Sequence, residues 1–219
     1  MFNLVIKDIL VQKKSILFAL GYCFFLVFAF QSLEQAGPIA ANIAVVYILL
    51  INSFGYEDKN KSDIMLNSLP ISRRDIVLAK YLSIFVYMGL AILAYMGSSL
   101  LVKALRIPID VVLLSLEGVT TAFLIVALMS SIYLPIIFKF GYIKAKLFNL
   151  VMFLFFFFVP TIIVNLYNNP RYHHYFVNFF QEFVSWKNWQ IALLLIAFSL
   201  LILSISYSIS VSIYKKREF

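Results

Sequence analysis

The sequence predicts an all-α integral membrane protein with six transmembrane helices, and three observations lead to that fold class. First, 63% of the 219 residues are hydrophobic and the mean hydropathy is +0.95, whereas globular proteins are about 45–50% apolar. Second, apolar runs recur along the chain at about 20 residues, the length that a helix needs to cross roughly 30 Å of hydrocarbon. Third, short clusters of Lys and Arg separate these runs. We therefore predict a single transmembrane domain over 1–219.

The first apolar run contains the only cysteine, Cys23, so an intramolecular disulfide is excluded. Lysines precede this run as in a signal peptide, but no small-residue cleavage site follows it, and we interpret the run as an uncleaved first span. The six predicted spans are 16–33, 38–55, 81–102, 111–138, 147–167 and 189–214.

The basic residues predict the orientation, because cytoplasmic segments of membrane proteins retain positive charge. If the six spans alternate, fourteen Lys and Arg residues fall on one side and four on the other. The side with four carries Lys103, Arg106, Arg171 and Lys187. This asymmetry predicts that both termini and the 56–80 loop are cytoplasmic in a multi-pass plasma membrane protein. It also explains the net charge of +8 without a nucleic-acid partner.

A short helix is predicted before the first span. Phe2, Val5, Ile6 and Ile9 fall at i, i+3, i+4 and i+7, with Lys7 opposite them. This spacing is typical of a helix that lies in the membrane interface. We expect it to lead into the first span as an elbow.

A second amphipathic segment lies between the fifth and sixth spans, on the predicted outer side. Aromatic residues flank it, and amphipathic aromatics favour the headgroup level of a bilayer. The pattern predicts a short interfacial or re-entrant helix. Its four phenylalanines repeat the helical spacing: Phe176, Phe179, Phe180 and Phe183.

The 56–80 loop is the longest predicted cytoplasmic segment, and its pattern indicates structure. Its first half mixes acids and bases with apolar residues and predicts a short helix. Pro70 should stop that helix, because proline cannot continue one and restricts the residue before it. Ser72 then predicts an N-cap, with Asp75 three positions later. A new helix is expected to start there and run into the third span.

At this loop the sequence resembles the permease subunits of type-2 ABC exporters, in particular a Gram-positive subfamily of about this length and span number. The resemblance covers the whole chain in layout and this loop in residue detail. It rests on Glu57-Asp58, Leu66, the run 69–73 that reads LPISR, Ile76-Val77 and Lys80-Tyr81.

The resemblance implies that the first half of the loop is a coupling helix, which docks into a groove of a separate ATP-binding subunit. It also implies a pathway formed by two permease subunits, identical or homologous, with two ATP-binding subunits beneath them. The alternative for the loop is a charged connector held at the headgroups. The residues predicted to contact the ATP-binding subunit are Glu57, Asp58, Asp63, Leu66, Leu69, Pro70, Ser72, Arg73, Arg74 and Lys80.

Motifs for catalysis within this chain are missing from the sequence. Its seven glycines do not allow a GxxxxGK[ST] phosphate loop, so ATP and Mg²⁺ are expected on a partner subunit and no cofactor on this chain. The sequence also lacks an HExxH pair, a GxSG motif and paired acids within apolar helices. We therefore expect no enzymatic activity and no metal site.

Four residues are candidates for the pathway or a gate. Glu117 is the acid most nearly within a span, and intramembrane carboxylates are costly enough to suggest function. A solvated position or a role in helix packing is the favoured interpretation of Glu117. Pro160 predicts a kink in the fifth span, and Asn149 and Asn165 bracket that span.

Two functions from different classes follow. The first is the transmembrane subunit of an ATP-driven exporter, whose aromatic interior suits an amphipathic or lipid-like cargo such as a peptide. The second is a membrane protein that does not transport, such as a scaffold, sensor or immunity protein, and that binds a partner through the same loop. Co-purification of an ATP-binding subunit with the chain would favour the first function, and failure to co-purify one would favour the second.

Overall fold

The computed structural model describes residues 2–31, 36–68, 70–107, 109, 111–168 and 187–217. These residues contain no strand, and the predicted all-α class is confirmed. Their helices are α1 (Phe2–Val11), α2 (Lys13–Ala29), α3 (Ala36–Lys59), α4 (Ser62–Ser68), α5 (Arg73–Ala104), α6 (Leu116–Asn168) and α7 (Asn188–Lys215).

Four segments of the described chain are long and apolar enough to cross a membrane. They are α3, α5, the Leu116–Asn149 part of α6, and α7, with mean hydropathies from 1.7 to 2.4. The bent pair α1–α2 is a fifth candidate. The predicted total of six spans stays a prediction, and the predicted helix at 176–183 lies outside the described residues.

Helix α6 contains a break that explains its unusual length. It has 53 residues, and at about 1.5 Å per residue a straight helix of that length would measure roughly 80 Å, far more than a bilayer core. At Gly141 the backbone leaves helical geometry, with φ +77° and ψ 169°. Only glycine adopts such a positive φ without strain. The fourth and fifth predicted spans lie on either side of this break.

The start of α6 differs from the sequence prediction. The fourth span was predicted from Val111, but the helix begins at Leu116. The hydroxyl of Tyr95 donates to the carbonyl of Val112 (2.8 Å), and the hydroxyl of Ser115 accepts from the backbone N–H of Gly118 (3.1 Å). The first bond holds the preceding segment against α5, and the second caps the helix, so both set its start.

The predicted elbow is present, because α1 meets α2 at a bend of 63° around Gln12. The side of α1 that packs into the bundle was not predicted from the sequence. Ile6 is 50% exposed, whereas Val5, Asp8 and Gln12 are buried. These three residues follow one another at i, i+3 and i+7 and therefore share a helix face. The hydrophobic pattern missed this face because two of its members are polar.

The helix predicted to start after Ser72 is confirmed. The Ser72 hydroxyl accepts from the backbone N–H of Asp75 at 3.2 Å, which is the predicted N-cap. Helix α5 then continues without interruption for 32 residues into the third predicted span. The 56–80 loop thus consists of the end of α3, the short helix α4, a turn at Pro70, and the first turns of α5.

Helix α3 lies at the centre of the bundle, where it packs against α2, α5 and α6, while α7 packs against α5 and α6. The contacts in the next section bring α1, the end of α3, the start of α5, the Gly141 break and the end of α7 to one end of the bundle. We call this the loop end. Glu117 and the start of α7 mark the opposite end.

Candidate functional site

Four charged side chains meet at the loop end, and we call them the ionic cluster: Lys7, Asp8, Glu57 and Lys80. The ammonium Nζ of Lys80 lies 2.8 Å from Oδ2 of Asp8 and 3.0 Å from Oε1 of Glu57. The ammonium of Lys7 lies 2.6 Å from the same oxygen of Glu57 and 3.2 Å from Oδ1 of Asp8. The cluster therefore joins α1, α3 and α5 in one network.

Lys80 is the centre of this network, and it is 3% exposed. Its ammonium also donates to the hydroxyl of Ser53 at 2.7 Å and lies 4.8 Å from the ring centroid of Phe54. The hydroxyl of Ser83 donates to Asp8 at 3.4 Å. Every charge of Lys80 and Asp8 thus has partners within the chain, as buried ions require.

Two further hydrogen bonds hold the elbow next to the cluster. The amide Nε2 of Gln12, the residue at the bend, donates to the hydroxyl of Tyr87 on α5 at 2.8 Å. The hydroxyl of Ser15 on α2 donates to that of Tyr56 on α3 at 3.2 Å. The bend between α1 and α2 is thereby fixed to both helices that flank the 56–80 loop.

The cluster contains two ammonium groups and two carboxylates, so its formal charges balance. Removing one partner from such a buried group leaves an uncompensated charge and costs about 3–5 kcal/mol. Glu57 and Lys80, at the two ends of the loop, are therefore joined to each other and to α1 by ion pairs whose loss would strongly destabilise the fold.

Two adjacent apolar residues of α4 lie on opposite sides of the helix, one buried and one exposed. Leu66 is 5% exposed and belongs to the hydrophobic core, whereas Met65 is 62% exposed. Pro70 is also exposed. The side chain of Asp63 and the whole of Leu69 lie outside the described residues.

Three exposed basic residues lie in the same loop as Met65. They are Lys59, Lys61 and Arg74, and we call these three together with Met65 the loop surface. Asp58 is half-buried and lines a crevice that residues of α3, α4, α5, α6 and the end of α7 enclose. The loop surface combines one exposed apolar side chain with three basic ones, which we call the basic rim.

Arg73 fastens the start of α5 to the end of α7. Its guanidinium Nη1 donates to the backbone carbonyls of Tyr214, Lys215 and Arg217 at 3.3, 2.9 and 3.0 Å. The last carbonyls of a helix have no partner within it, and a cation there also interacts favourably with the helix dipole. Arg217 in turn donates to the carbonyl of Phe138 at 3.4 Å, next to the Gly141 break.

The residue after Lys80 makes a second connection between the same helices. The hydroxyl of Tyr81 lies 2.6 Å from that of Ser206 and 2.8 Å from that of Ser210. All three residues are buried. Lys80 and Tyr81 therefore anchor consecutive positions of α5, one toward α1 and α3 and the other toward α7.

The predicted pathway residues are placed at separate locations. Glu117 is exposed in the first turn of α6, and its Oε1 accepts from Nδ2 of Asn188 at 2.5 Å, which links α6 to the start of α7. An acid in the first turn also complements the helix dipole. Tyr47 of α3 donates to the side-chain and backbone oxygens of Asn149. The side chains of Pro160 and Asn165 lie outside the described residues.

Sequence reasoning missed several residues of this site. The apolar periodicity of α1 does not indicate Asp8 and Gln12, which are polar. The family resemblance includes Leu66 but not the adjacent Met65. A stripe of polar residues at i, i+3 and i+7 on a helix that is otherwise apolar would have pointed to the first two. Within the described part of the chain, no three His, Cys, Asp or Glu side chains are placed to hold a metal ion.

The fold and this site define a class, a multi-pass membrane protein with a structured loop between two of its spans. Comparison with known families agrees: the model of the family described as "ABC-2 family transporter protein" matches residues 3–215. The chain therefore belongs to the ABC-2 family of transporter membrane proteins. Neither a curated protein nor a solved structure matches it.

Proposed function

We propose that this chain is the transmembrane subunit of an ATP-driven exporter. Two such subunits, identical or homologous, form the pathway, and two ATP-binding subunits carrying ATP and Mg²⁺ engage the 56–80 loop from the cytoplasm. The cargo is an amphipathic or lipid-like molecule such as a peptide. Membership of the ABC-2 family supports the transport role.

One structural observation carries the coupling part of the proposal. Helix α4 connects two helices whose facing ends are joined by the Glu57–Lys80 ion pair (3.0 Å), and Leu66 buries α4 against the same core. A force on α4 therefore reaches α3 and α5 together, and through Asp8 and Lys80 it also reaches the elbow (2.8 Å). Coupling requires such a stiff connection, because a floppy connector would absorb the motion of the ATP-binding subunit.

The loop surface supplies the contact with that subunit. Met65 is a flexible apolar side chain that fits an apolar pocket, and the basic rim complements an acidic surface and speeds association. The loop residues predicted from the sequence fall into two groups in this proposal. Exposed Arg74 and Pro70 face the partner, whereas Glu57, Leu66, Arg73 and Lys80 act by holding the loop in place.

Replacement of Met65 by glutamate tests the contact. Met65→Glu places a charge at the apolar centre of the loop surface, and we expect loss of the ATP-binding subunit from a mild-detergent pull-down. Leu105→Glu is the matched control, because Leu105 is 64% exposed against 62% for Met65 but lies at the opposite end. Met65→Leu should retain the subunit.

Transport and ATP hydrolysis measured in liposomes complete the test. Met65→Glu should lose transport while the thermal unfolding temperature of the chain stays that of the wild type. Normal capture and transport by Met65→Glu would refute the docking role of α4. A wild-type chain that captures no ATP-binding subunit would instead favour the non-transporting scaffold.

Accessibility labelling tests the orientation on which the proposal depends. Cys23 is fully buried and is the only cysteine, so a Cys23→Ala background leaves no other thiol. With Met65→Cys added, an impermeant maleimide should label the chain only when it reaches the cytoplasmic side. Labelling from outside intact cells would overturn the topology.

A further inference from the structure

An apolar cavity of about 140 Å³ lies between α2, α3 and α5, away from the 56–80 loop. Seven aliphatic side chains line it: Ile16, Ala19, Val45, Leu49, Leu90, Leu93 and Ala94. Its size is close to that of the ~150 Å³ apolar cavity that takes up benzene in an engineered protein. It is therefore large enough for a segment of hydrocarbon chain, and its lining offers no hydrogen-bonding side chain to water.

The cavity opens toward the surroundings of the bundle. Its inner wall is buried, since Val45 and Leu49 are each 1% exposed, whereas Leu93 at its rim is 67% exposed. The neighbouring surface of α2 is also apolar, with Leu17 and Phe18 exposed by 72% and 73%. In a membrane protein such a surface lies against lipid, so an acyl chain has direct access to the cavity.

A basic pair lies one helical turn from the cavity. Lys13 and Lys14 begin α2 and are exposed, and Ile16 of the lining follows Lys13 by one turn. Residues three and four apart are neighbours on a helix surface. Lysines at a helix end extend their ammonium groups to the headgroup level, where anionic lipids attract them.

We infer that this face of the bundle binds an anionic phospholipid, with its headgroup on Lys13 and Lys14 and one acyl chain in the cavity. The charge of the lysines selects the headgroup, and the aliphatic lining selects the tail. Lys13 precedes the cavity-lining Ile16 by one turn of α2. A lipid in a leaflet is arranged in the same order, with its headgroup at the membrane surface and its acyl chains beneath it.

Native mass spectrometry of the full-length chain released from nanodiscs tests the site. The nanodiscs contain equal amounts of phosphatidylglycerol and phosphatidylcholine, and the readout is the number of each lipid retained per chain. We expect the wild type to retain phosphatidylglycerol over phosphatidylcholine by about tenfold, since each lysine near an anionic surface contributes to the attraction.

Two kinds of variant separate the headgroup contact from the tail contact. Lys13→Gln combined with Lys14→Gln should keep the retained lipid but lose the preference for phosphatidylglycerol. Ala94→Leu, which fills the cavity, should lose the retained lipid, and Ala19→Ile provides an independent filling variant if Ala94→Leu fails to fold. Lys103→Gln, at the opposite end, and Ala29→Leu, on the exposed side of α2, are the matched controls.

The filled variants also decide whether one lipid makes both contacts. If it does, Ala94→Leu should lose the preference for phosphatidylglycerol together with the retained lipid, although Lys13 and Lys14 are unchanged. A preference for phosphatidylglycerol that persists in both filled variants, equal retention of the two lipids by the wild type, or wild-type retention by both filled variants would overturn the proposal. A bound peptide or second chain in place of the lipid would also overturn it.

Discussion

The inward-facing and outward-facing residues of the 56–80 loop are alike in composition but differ in their surroundings. Lys80 and Leu66 face inward and are 3% and 5% exposed, while Lys61 and Met65 face outward. The inward lysine is enclosed by two carboxylates, and the outward one by solvent. The comparison teaches that one short loop contains both a buried anchor and an exposed surface, and that residue type does not distinguish them.

The two groups should respond differently to substitution. Changes to the inward group should lower the free energy of unfolding, and any functional loss should follow from that. Changes to the outward group should leave stability unaltered and act on the partner alone. The expected loss of stability is largest for Lys80, smaller for Leu66 and Arg73, and smallest for the exposed pair Lys59 and Lys61.

Lys80→Met should be the most damaging change. It leaves the carboxylates of Asp8 and Glu57 buried with one ammonium group between them, and the expected loss is about 3–5 kcal/mol of unfolding free energy. Thermal unfolding in detergent and the amount of chain in the membrane measure it. Lys103→Met, an exposed lysine on the same helix, is the control and should behave as the wild type.

Neutralising one carboxylate along with Lys80 sharpens this prediction. The double variant Lys80→Met, Asp8→Asn leaves Glu57 paired with Lys7 (2.6 Å), so the charges balance again and it should recover part of the stability that the single variant loses. If the single variant unfolds at the wild-type temperature, the ionic cluster is not an anchor.

Leu66→Ala should have the next largest effect. Leu66 is buried in the core, and truncating a buried leucine costs about 2–5 kcal/mol through lost burial and the cavity that remains. Met65→Ala removes the same kind of side chain from the adjacent exposed position and should leave the unfolding temperature unchanged. Equal destabilisation by both variants would contradict the two orientations on α4.

Arg73→Gln should have a smaller and more local effect. It removes the cation that donates to the last carbonyls of α7, and hydrogen bonds to charged groups contribute about 1.5–3 kcal/mol. Hydrogen exchange should speed up in the last turn of α7, around Tyr214. The adjacent Arg74→Gln is the control because Arg74 is exposed, and unchanged exchange in Arg73→Gln would refute the cap.

Lys59→Glu combined with Lys61→Glu should have the smallest effect on stability. Both residues are exposed, and surface substitutions away from buried networks rarely change stability measurably. Under the proposed function, the association rate with the ATP-binding subunit should fall and lose its dependence on ionic strength. Wild-type association at low salt would show that the basic rim does not face that subunit.

Local signals in the sequence were sufficient for much of the fold. The apolar runs predicted helices at α3, α5, α6 and α7, and Ser72 with Asp75 predicted the start of α5. These features are readable because they depend on residues within a few positions of one another. Helix ends that depend on distant contacts were less accurate, as at Leu116, where Tyr95 helps to set the boundary.

The site was predicted only in outline. The 56–80 loop was identified through its resemblance to a family, and the family is confirmed for residues 3–215. The roles within the loop could not be read, because the ammonium of Lys80 finds its carboxylates on α1 and α3, and the guanidinium of Arg73 finds its carbonyls at the end of α7. Such partners are far apart in sequence, and no local pattern links them.

The sequence by itself determined that the chain is an all-helical membrane protein with a structured loop, because hydrophobicity and helix capping are properties of neighbouring residues. Only the tertiary structure decided which charges of that loop are buried. Packing of α1, α3 and α5 places Lys80 among carboxylates and leaves Lys59 and Lys61 in solvent. A lysine's surroundings depend on how helices pack, and identical side chains are therefore a buried anchor in one position and an exposed residue in another.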